Sequence, residues 1–262
     1  MASNIVTDGG AVGDGITDDT IAIQDALNAG GNWYFPAGTY LVSSTLLLKV
    51  PATGLFGDNM ATSIIKYTGT GTCIQNNNFA TTLLWTRIED MQFDAPNINI
   101  GYVLEMYSMQ FSRIKNVWLL GSSNPNCTAI NLAATWIETQ CTYNIIDGCY
   151  IGGVYNGIVF GDGANNNTIS NTRIQPNVNG GNAIFGYPSA AGRSSCNTVI
   201  SCGFEYPGNI SNGINLYQYM DTVFMLGNRF ESLNTGMNIG TTCTNIFDLG
   251  QSYSSCTNNK VG

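Results

Sequence analysis

Large apolar residues recur along this chain at the ends of short alternating segments. Seven segments carry the pattern: RIEDMQF ending at Phe93, RIKNVWL at Leu119, IIDGCYI at Ile151, TISNTRI at Ile174, TVISCGF at Phe204, FMLGNRF at Phe230 and FDLGQSY at Tyr253. Successive anchors lie 26, 32, 23, 30, 26 and 23 residues apart. A second ladder runs between them, at Ile74, Tyr102, Ile130, Ile158, Ile184, Ile214 and Met237. Units of this length cannot bury an apolar face alone, so they must stack. Short period-2 strands separated by Gly/Asn turns, one rung per unit, make a solenoid with rungs ~4.8 Å apart. The expected fold is all-β, a right-handed parallel β-helix of about seven to eight coils.

The columns agree with that reading. Five residues before each anchor stand Ile88, Ile114, Ile146, Ile169, Val199 and Met225, an inward apolar stack. Two before stand Met91, Val117, Cys149, Thr172, Cys202, Asn228 and Gln251, so packing is expected to loosen in the last two coils. Asn144, Asn167 and Asn197, seven before their anchors, suit turns and stacked amide ladders.

The N-terminal stretch breaks the pattern. Thr17–Ala29 reads as a helix with Thr17 as N-cap, Asp18 and Asp19 at the positive end of its dipole, and Gly30–Gly31 as its stop. Ile23, Ala26 and Leu27 give it one apolar face, which suits a lid on the open end of a solenoid. Residues 1–48 are thus expected to form the cap and 49–262 the body. The final SSCTNNKVG shows no comparable cap, so a partner, a neighbouring subunit or further chain is expected to cover that end.

Composition narrows the chemistry. Charged residues are only 10%, while Gly numbers 31 and Asn 32, a mix that favours turns over helices. The net charge is −8 without a basic cluster, which argues against nucleic-acid and anionic-membrane partners. There is no His, which excludes Ser-His and Cys-His nucleophile pairs, His-liganded zinc and His acid–base catalysis. Proton transfer is left to carboxylates, Tyr, Lys or Arg. The eight Cys form no CxxC pair and no apolar signal segment opens the chain, so the thiols are expected to act as small buried hydrophobes in a reducing cytoplasm. No stretch approaches the ~20 apolar residues of a membrane-spanning helix. Neither a metal nor a cofactor is expected: Asp14, Asp18 and Asp19 lack calcium-loop spacing, and GDGITD is not a phosphate-binding glycine loop.

The segment DGGAVGDGITDDTIAIQDALNAGG, followed by NWYFPAGTYLVSSTLLL, resembles the opening motif of the pectate-lyase-like parallel β-helix superfamily. The matching residues run from Gly13, Asp14 and Gly15 through Thr17, Asp18, Asp19, Thr20, Ala22, Ile23, Gln24 and Ala26 to Phe35, Pro36, Gly38, Tyr40 and Leu41. Within that superfamily the chain looks most like phage tailspikes and related surface-polysaccharide depolymerases. The resemblance implies a homotrimer on the virion, assembled in the bacterial cytoplasm beside other tail proteins, that recognises and in some members hydrolyses a bacterial surface polysaccharide. The alternative it leaves is a non-enzymatic receptor-binding or structural tail component. The polygalacturonase Gly-His-Gly motif is impossible here, and a pectate-lyase substrate would meet an acidic protein.

Candidate chemistry lies in the columns flanking the first ladder. The residue after each anchor reads Asp94, Leu120, Gly152, Gln175, Glu205, Glu231 and Ser254, which puts Glu205 and Glu231 on adjacent rungs. Glycoside hydrolysis uses two such carboxyls, so this pair is the catalytic candidate. The residue before each anchor reads Gln92, Trp118, Tyr150, Arg173, Gly203, Arg229 and Ser252. Trp118 and Tyr150 can stack on sugar rings, and Arg173 and Arg229 can clamp polar glycans, so these four are the substrate-binding candidates. A plain surface ladder of ion pairs is the competing reading. Trp136 and Glu138, in the longest inter-anchor segment, form a second candidate site. Asp147, Asp162 and Asp221 read as turn residues.

Overall fold

The computed structural model describes residues 2–76, 82–134, 140–177, 179–206 and 211–262. Parallel strands wind these residues into a β-helix with three kinds of face. One is a nine-stranded parallel sheet running from Leu46–Leu48 to Asn258–Val261. A short four-stranded sheet joins Leu83–Leu84, Met109–Gln110, Cys141–Thr142 and Ala164–Asn165. The third is bent along its length, because Arg87–Asp94 and Arg113–Leu120 each cross from one flat run to the other. The bend falls where Asp90, Asn116, Asn171 and Ser201 adopt φ between 49° and 57°, mostly residue types that tolerate the left-handed conformation.

The first ladder is continuous. Phe93, Leu119, Ile151, Ile174, Phe204, Phe230 and Tyr253 face one another rung by rung. The column extends upstream through Ile65 and Tyr40. All of these but Tyr253 are buried, and Tyr253 is half-buried against them. The second ladder differs at one rung: Leu104, not Tyr102, pairs with Ile74 and Ile130, while Tyr102 pairs with Thr128. The helix makes about nine turns rather than seven to eight, since Leu46 precedes Ile74 and Lys260 follows Met237 in the same register.

The polar end of the inward column is held by hydrogen bonds, although no residue after Met237 is buried. Asn228 is fully buried; its Oδ1 accepts Cys202 N–H at 2.9 Å and its Nδ2 donates to the Val199 carbonyl at 3.0 Å. Gln251 repeats the arrangement one rung on, accepting Asn228 N–H at 2.8 Å and donating to the Met225 carbonyl at 2.8 Å. Amides that satisfy themselves this way replace methyl packing with hydrogen bonds and keep the rungs locked. Cys73, Cys127, Cys141, Cys149 and Cys202 are buried in the same interior, and burial pushes the Cys149 and Cys202 thiols up to about 12.

The N-terminal helix spans Thr20–Ala29 and begins later than its polar run suggests. Asp14–Asp18 is a strand, and Thr17 donates its hydroxyl to Asp14 instead of capping the helix. Asp19 occupies the N-cap position but spends its carboxylate on the Val12 and Gly13 N–H groups, at 2.6 and 3.0 Å. Ile23, Ala26 and Leu27 are buried as expected. Gln24 brackets Leu47 on the first strand of the nine-stranded sheet, donating to its carbonyl at 3.0 Å and accepting its N–H at 2.8 Å. The helix so satisfies a strand edge that would otherwise be open to pairing. Among the described residues no helix is long and apolar enough to cross a membrane.

Candidate functional site

The bent sheet brings all six sequence-predicted residues onto one outward face. Trp118 pairs with Tyr150 and Tyr150 with Arg173. Arg173 pairs with Gly203 and Gly203 with Arg229, while Glu205 stands opposite Glu231. The rings of Trp118 and Tyr150 lie 5.9 Å apart, and the Arg173 guanidinium sits 5.8 Å from the Tyr150 ring centre. Arg173 forms an ion pair with Glu205, and Arg229 with Glu231. Gln175 joins the two halves: its Nε2 donates to Glu205 at 2.8 Å, and its Oε1 accepts the Tyr150 hydroxyl at 2.5 Å. An open groove of about 330 Å³ lies over Arg173, Gly203, Glu205 and Arg229. Gly203, with no side chain between two arginines, leaves the floor of that groove clear.

The arrangement fits a polar, ring-bearing ligand. Aromatic surface at one end can take the apolar face of a ring, and the guanidinium–carboxylate row offers donors and acceptors beside it. Each glutamate already has a guanidinium partner, which is also how a surface ion-pair ladder looks. Trp136 and Glu138 lie outside the described residues.

A second groove went unread in the sequence. On the nine-stranded sheet Glu105 stands outward between Gln75 and Asn131, in a column that continues through Val159 and Phe185. Beside it Tyr102, Tyr107, Asn131, Asp162, Tyr187 and Gln218 line a space of about 420 Å³. Burial raises the Glu105 carboxyl to about 7, so it keeps its proton close to neutrality. Burial, with the nearby Tyr187, Glu105 and Tyr107, pushes the Tyr102 hydroxyl up to about 12. Asp162 accepts Ser189 N–H at 2.5 Å and the Ser189 hydroxyl at 2.9 Å, tying its turn to the next rung. The visible signal was the acidic residue inside GYVLEMY, an outward position flanked by tyrosines.

Asp147 and Asp221 sit in strands rather than turns and staple adjacent rungs. Asp147 accepts from Asn171 and Ser170, and Asp221 from Thr244 and Asn245; these bonds hold both carboxyls below their ordinary range. No group of three or more metal-binding side chains occurs among the described residues.

Residues 3–238 match the family model described as rhamnogalacturonase A/epimerase, pectate lyase-like. The chain belongs to this family. A curated relative, plasmin and fibronectin-binding protein A of Streptococcus pneumoniae (strain ATCC BAA-255 / R6), is 37% identical over 134 residues, 45% of this chain and 18% of that protein. The chain therefore matches less than a fifth of that relative's length. Among solved structures, the tailspike protein of Acinetobacter baumannii phage AM24 superposes with a TM-score of 0.62 at 11% identity, over 98% of this chain and 45% of that one. The bacteriophage Phi29 gene product 12 N-terminal fragment gives 0.53 at 13% identity, over 98% and 71%. These likenesses establish the β-helix fold.

Proposed function

We propose that this chain recognises a bacterial surface polysaccharide as part of a phage tailspike or tail adhesin. The observation that carries the reading is the outward row from Trp118 and Tyr150 through Arg173 and Glu205 to Arg229 and Glu231, broken only at Gly203, with Gln175 bridging aromatic and charged halves. Two rings followed by alternating donors and acceptors match successive sugars of an extended chain better than a compact ligand. The phage neighbours share the fold, and the pneumococcal relative is named for binding plasmin and fibronectin, so a binding role is compatible with both. A homotrimer on a virion, docked to other tail proteins, belongs to the same proposal. In its enzymatic form Glu205 and Glu231, on rungs ~4.8 Å apart, are the hydrolytic pair.

A second reading places hydrolysis in the groove beside Glu105, because a general acid must hold its proton near the working pH and Glu105 does. Asp162, on the wall of the same groove, would then be the second carboxyl. One experiment separates these readings: binding to, and oligosaccharide release from, a panel of bacterial surface polysaccharides. The parent, a Glu205→Gln/Glu231→Gln variant and a Glu105→Gln variant are compared. Release lost only in the double variant supports the paired glutamates, and release lost only in Glu105→Gln supports the second groove. Binding without release leaves an adhesin, and no binding to any polysaccharide overturns the glycan reading. The mass in solution tests the trimer.

A further inference from the structure

Left-handed residues recur in two long columns along the coils, and the two are filled very differently. At the bend of the third sheet the column reads Asp90, Asn116, Gly148, Asn171, Ser201, Gly227 and Gly250, small or polar residues throughout. At the other corner it reads Ala52, Trp85, Phe111, Tyr143, Asn166, Cys196, Thr222 and Asn245, linked rung to rung by backbone hydrogen bonds such as Trp85 N–H to the Gln110 carbonyl. Trp85, Phe111 and Tyr143 hold φ of 58°, 53° and 58°. A bulky residue is disfavoured there, and Asn166, with φ 54° on the next rung, shows what the backbone alone would choose. The three rings are 57%, 48% and 52% exposed, and what they cover is largely one another. Three strained rings in succession, each left half exposed, point to a use outside the fold.

The surroundings indicate what the rings meet. With Ile145, Arg87 and Arg113 they line a groove of about 580 Å³. Neither arginine forms an ion pair with a described residue, although the chain carries a net charge of −8; Arg113 only feels Asp147 at a distance. The Arg113 Nε is buried and has no acceptor. Phe111 and Tyr143 stack on each other at 5.1 Å and 4°, and Trp85 continues the pile 6.4 Å from Phe111. Rings stacked along the solenoid cover one another's faces and present edges to solvent. A sugar needs a free ring face, whereas apolar side chains pack against a ridge of ring edges. Trp, Tyr and Arg gathered at one exposed groove is also the composition of protein–protein hot spots.

We infer that the Trp85–Phe111–Tyr143 corner, with Arg87 and Arg113, is a docking site for an acidic, apolar-bearing polypeptide segment of a partner protein. The segment would lay aliphatic or aromatic side chains across the ring edges and place carboxylates on the two guanidiniums. This site is on a different corner from the proposed glycan face and stands or falls apart from it.

The test is selection from a displayed library of random short peptides on the whole chain, followed by titration of the enriched peptides. Enriched sequences are expected to combine Asp or Glu with apolar residues. Replacing the three rings by Asn, the residue the column itself uses, is expected to weaken those peptides by about tenfold or more. The same variant should melt at or above the parent temperature, because the strain is relieved. Arg87→Gln/Arg113→Gln keeps the rings and is expected to lose the acidic peptides as well, which covers the case of a misfolded ring variant. Glycan binding on the Trp118 face should be unchanged in both variants. No enrichment, peptides that bind the ring variant as well as the parent, self-association of the chain through this corner, or oligogalacturonate binding in place of peptide would each overturn the inference.

Discussion

Asn197 receives both amide donors of Asn167: its Oδ1 accepts the Asn167 backbone N–H at 3.0 Å and the Asn167 side-chain Nδ2 at 3.1 Å. Asn144 stands in the same relation to Asn167, at 3.1 and 2.9 Å, and accepts Ser112 N–H at 3.0 Å. All three side chains are buried, and Asn167 and Asn197 also donate onward to the Cys141 and Ala164 carbonyls. Removing the middle side chain leaves the Asn144 backbone N–H without its acceptor, while Asn197 Oδ1 keeps the backbone N–H of residue 167. Asn167→Leu, close in size but without polar atoms, is expected to destabilise the fold by about 2–4 kcal/mol. Denaturant unfolding of the two proteins measures this, and an effect within experimental scatter would mean the ladder is dispensable.

Gly213 marks how closely the rungs pack beneath the anchors. A Cβ there would meet the Gly236 carbonyl oxygen at 2.4 Å and the Phe230 ring at 2.6 Å. Gly157 meets the Ala183 carbonyl in the same way, although Ala129 and Ala183 each hold a Cβ in the same column. Gly213→Ala is expected to destabilise by about 1–3 kcal/mol despite adding only a methyl group, because backbone cannot step aside. Phe230→Ala, which empties a fully buried ring position, is expected to lose about 3–5 kcal/mol. Thermal melting of both variants gives the order, and Gly213→Ala melting like the parent would refute the close approach.

The solenoid was legible because its two ladders are made of large apolar residues whose side chains must share one interior. Phe93 through Tyr253 were placed rung by rung from spacing alone. The rung at Leu104 slipped to Tyr102 because GYVLEMY has apolar or aromatic residues at both parities, and a two-residue shift preserves alternation. The helix start was misplaced because Asp14 and Asp18 bond neighbouring N–H and hydroxyl groups in an extended conformation, a use of the same residue types that cap helices. The row from Trp118 to Glu231 was readable since it flanks a ladder already in register. The Glu105 groove was not: Tyr102, Asp162, Tyr187 and Gln218 come from four different coils, and their meeting depends on turn shapes that sequence spacing does not encode.

Glu105 gives the protein a pH signature of known sign. Burial raises its folded carboxyl to about 7 from the ordinary 4.5. Below about pH 4.5 both folded and unfolded states hold the proton, and Glu105 contributes no penalty. Between about 4.5 and 7 the unfolded chain releases the proton first, so stability falls as pH rises; above about 7 the penalty stays constant. Glu105→Gln removes this term. The variant is expected to melt with the parent near pH 4.5 and above it at about pH 8. Equal melting temperatures at both values would show that Glu105 is not held in its neutral form.

Arg173 tests the proposed glycan face without disturbing the fold. Its guanidinium is more than half exposed, so its ion pair with Glu205 contributes at most about 1 kcal/mol to stability. Its geometry is more demanding than its energy: one planar group lies over the Tyr150 ring and reaches the carboxylate that Gln175 also holds. Lysine keeps the charge but loses the flat surface and the fork of donors. Arg173→Lys is therefore expected to melt within about 2–4 °C of the parent, the equivalent of ~1 kcal/mol in a domain of this size. A bound surface polysaccharide should weaken by about tenfold, the value of one well-placed charge-assisted contact. Titration of that polysaccharide against both proteins decides it. An affinity unchanged in Arg173→Lys, and again in Trp118→Ala, would return this row to an ordinary ladder of surface charges.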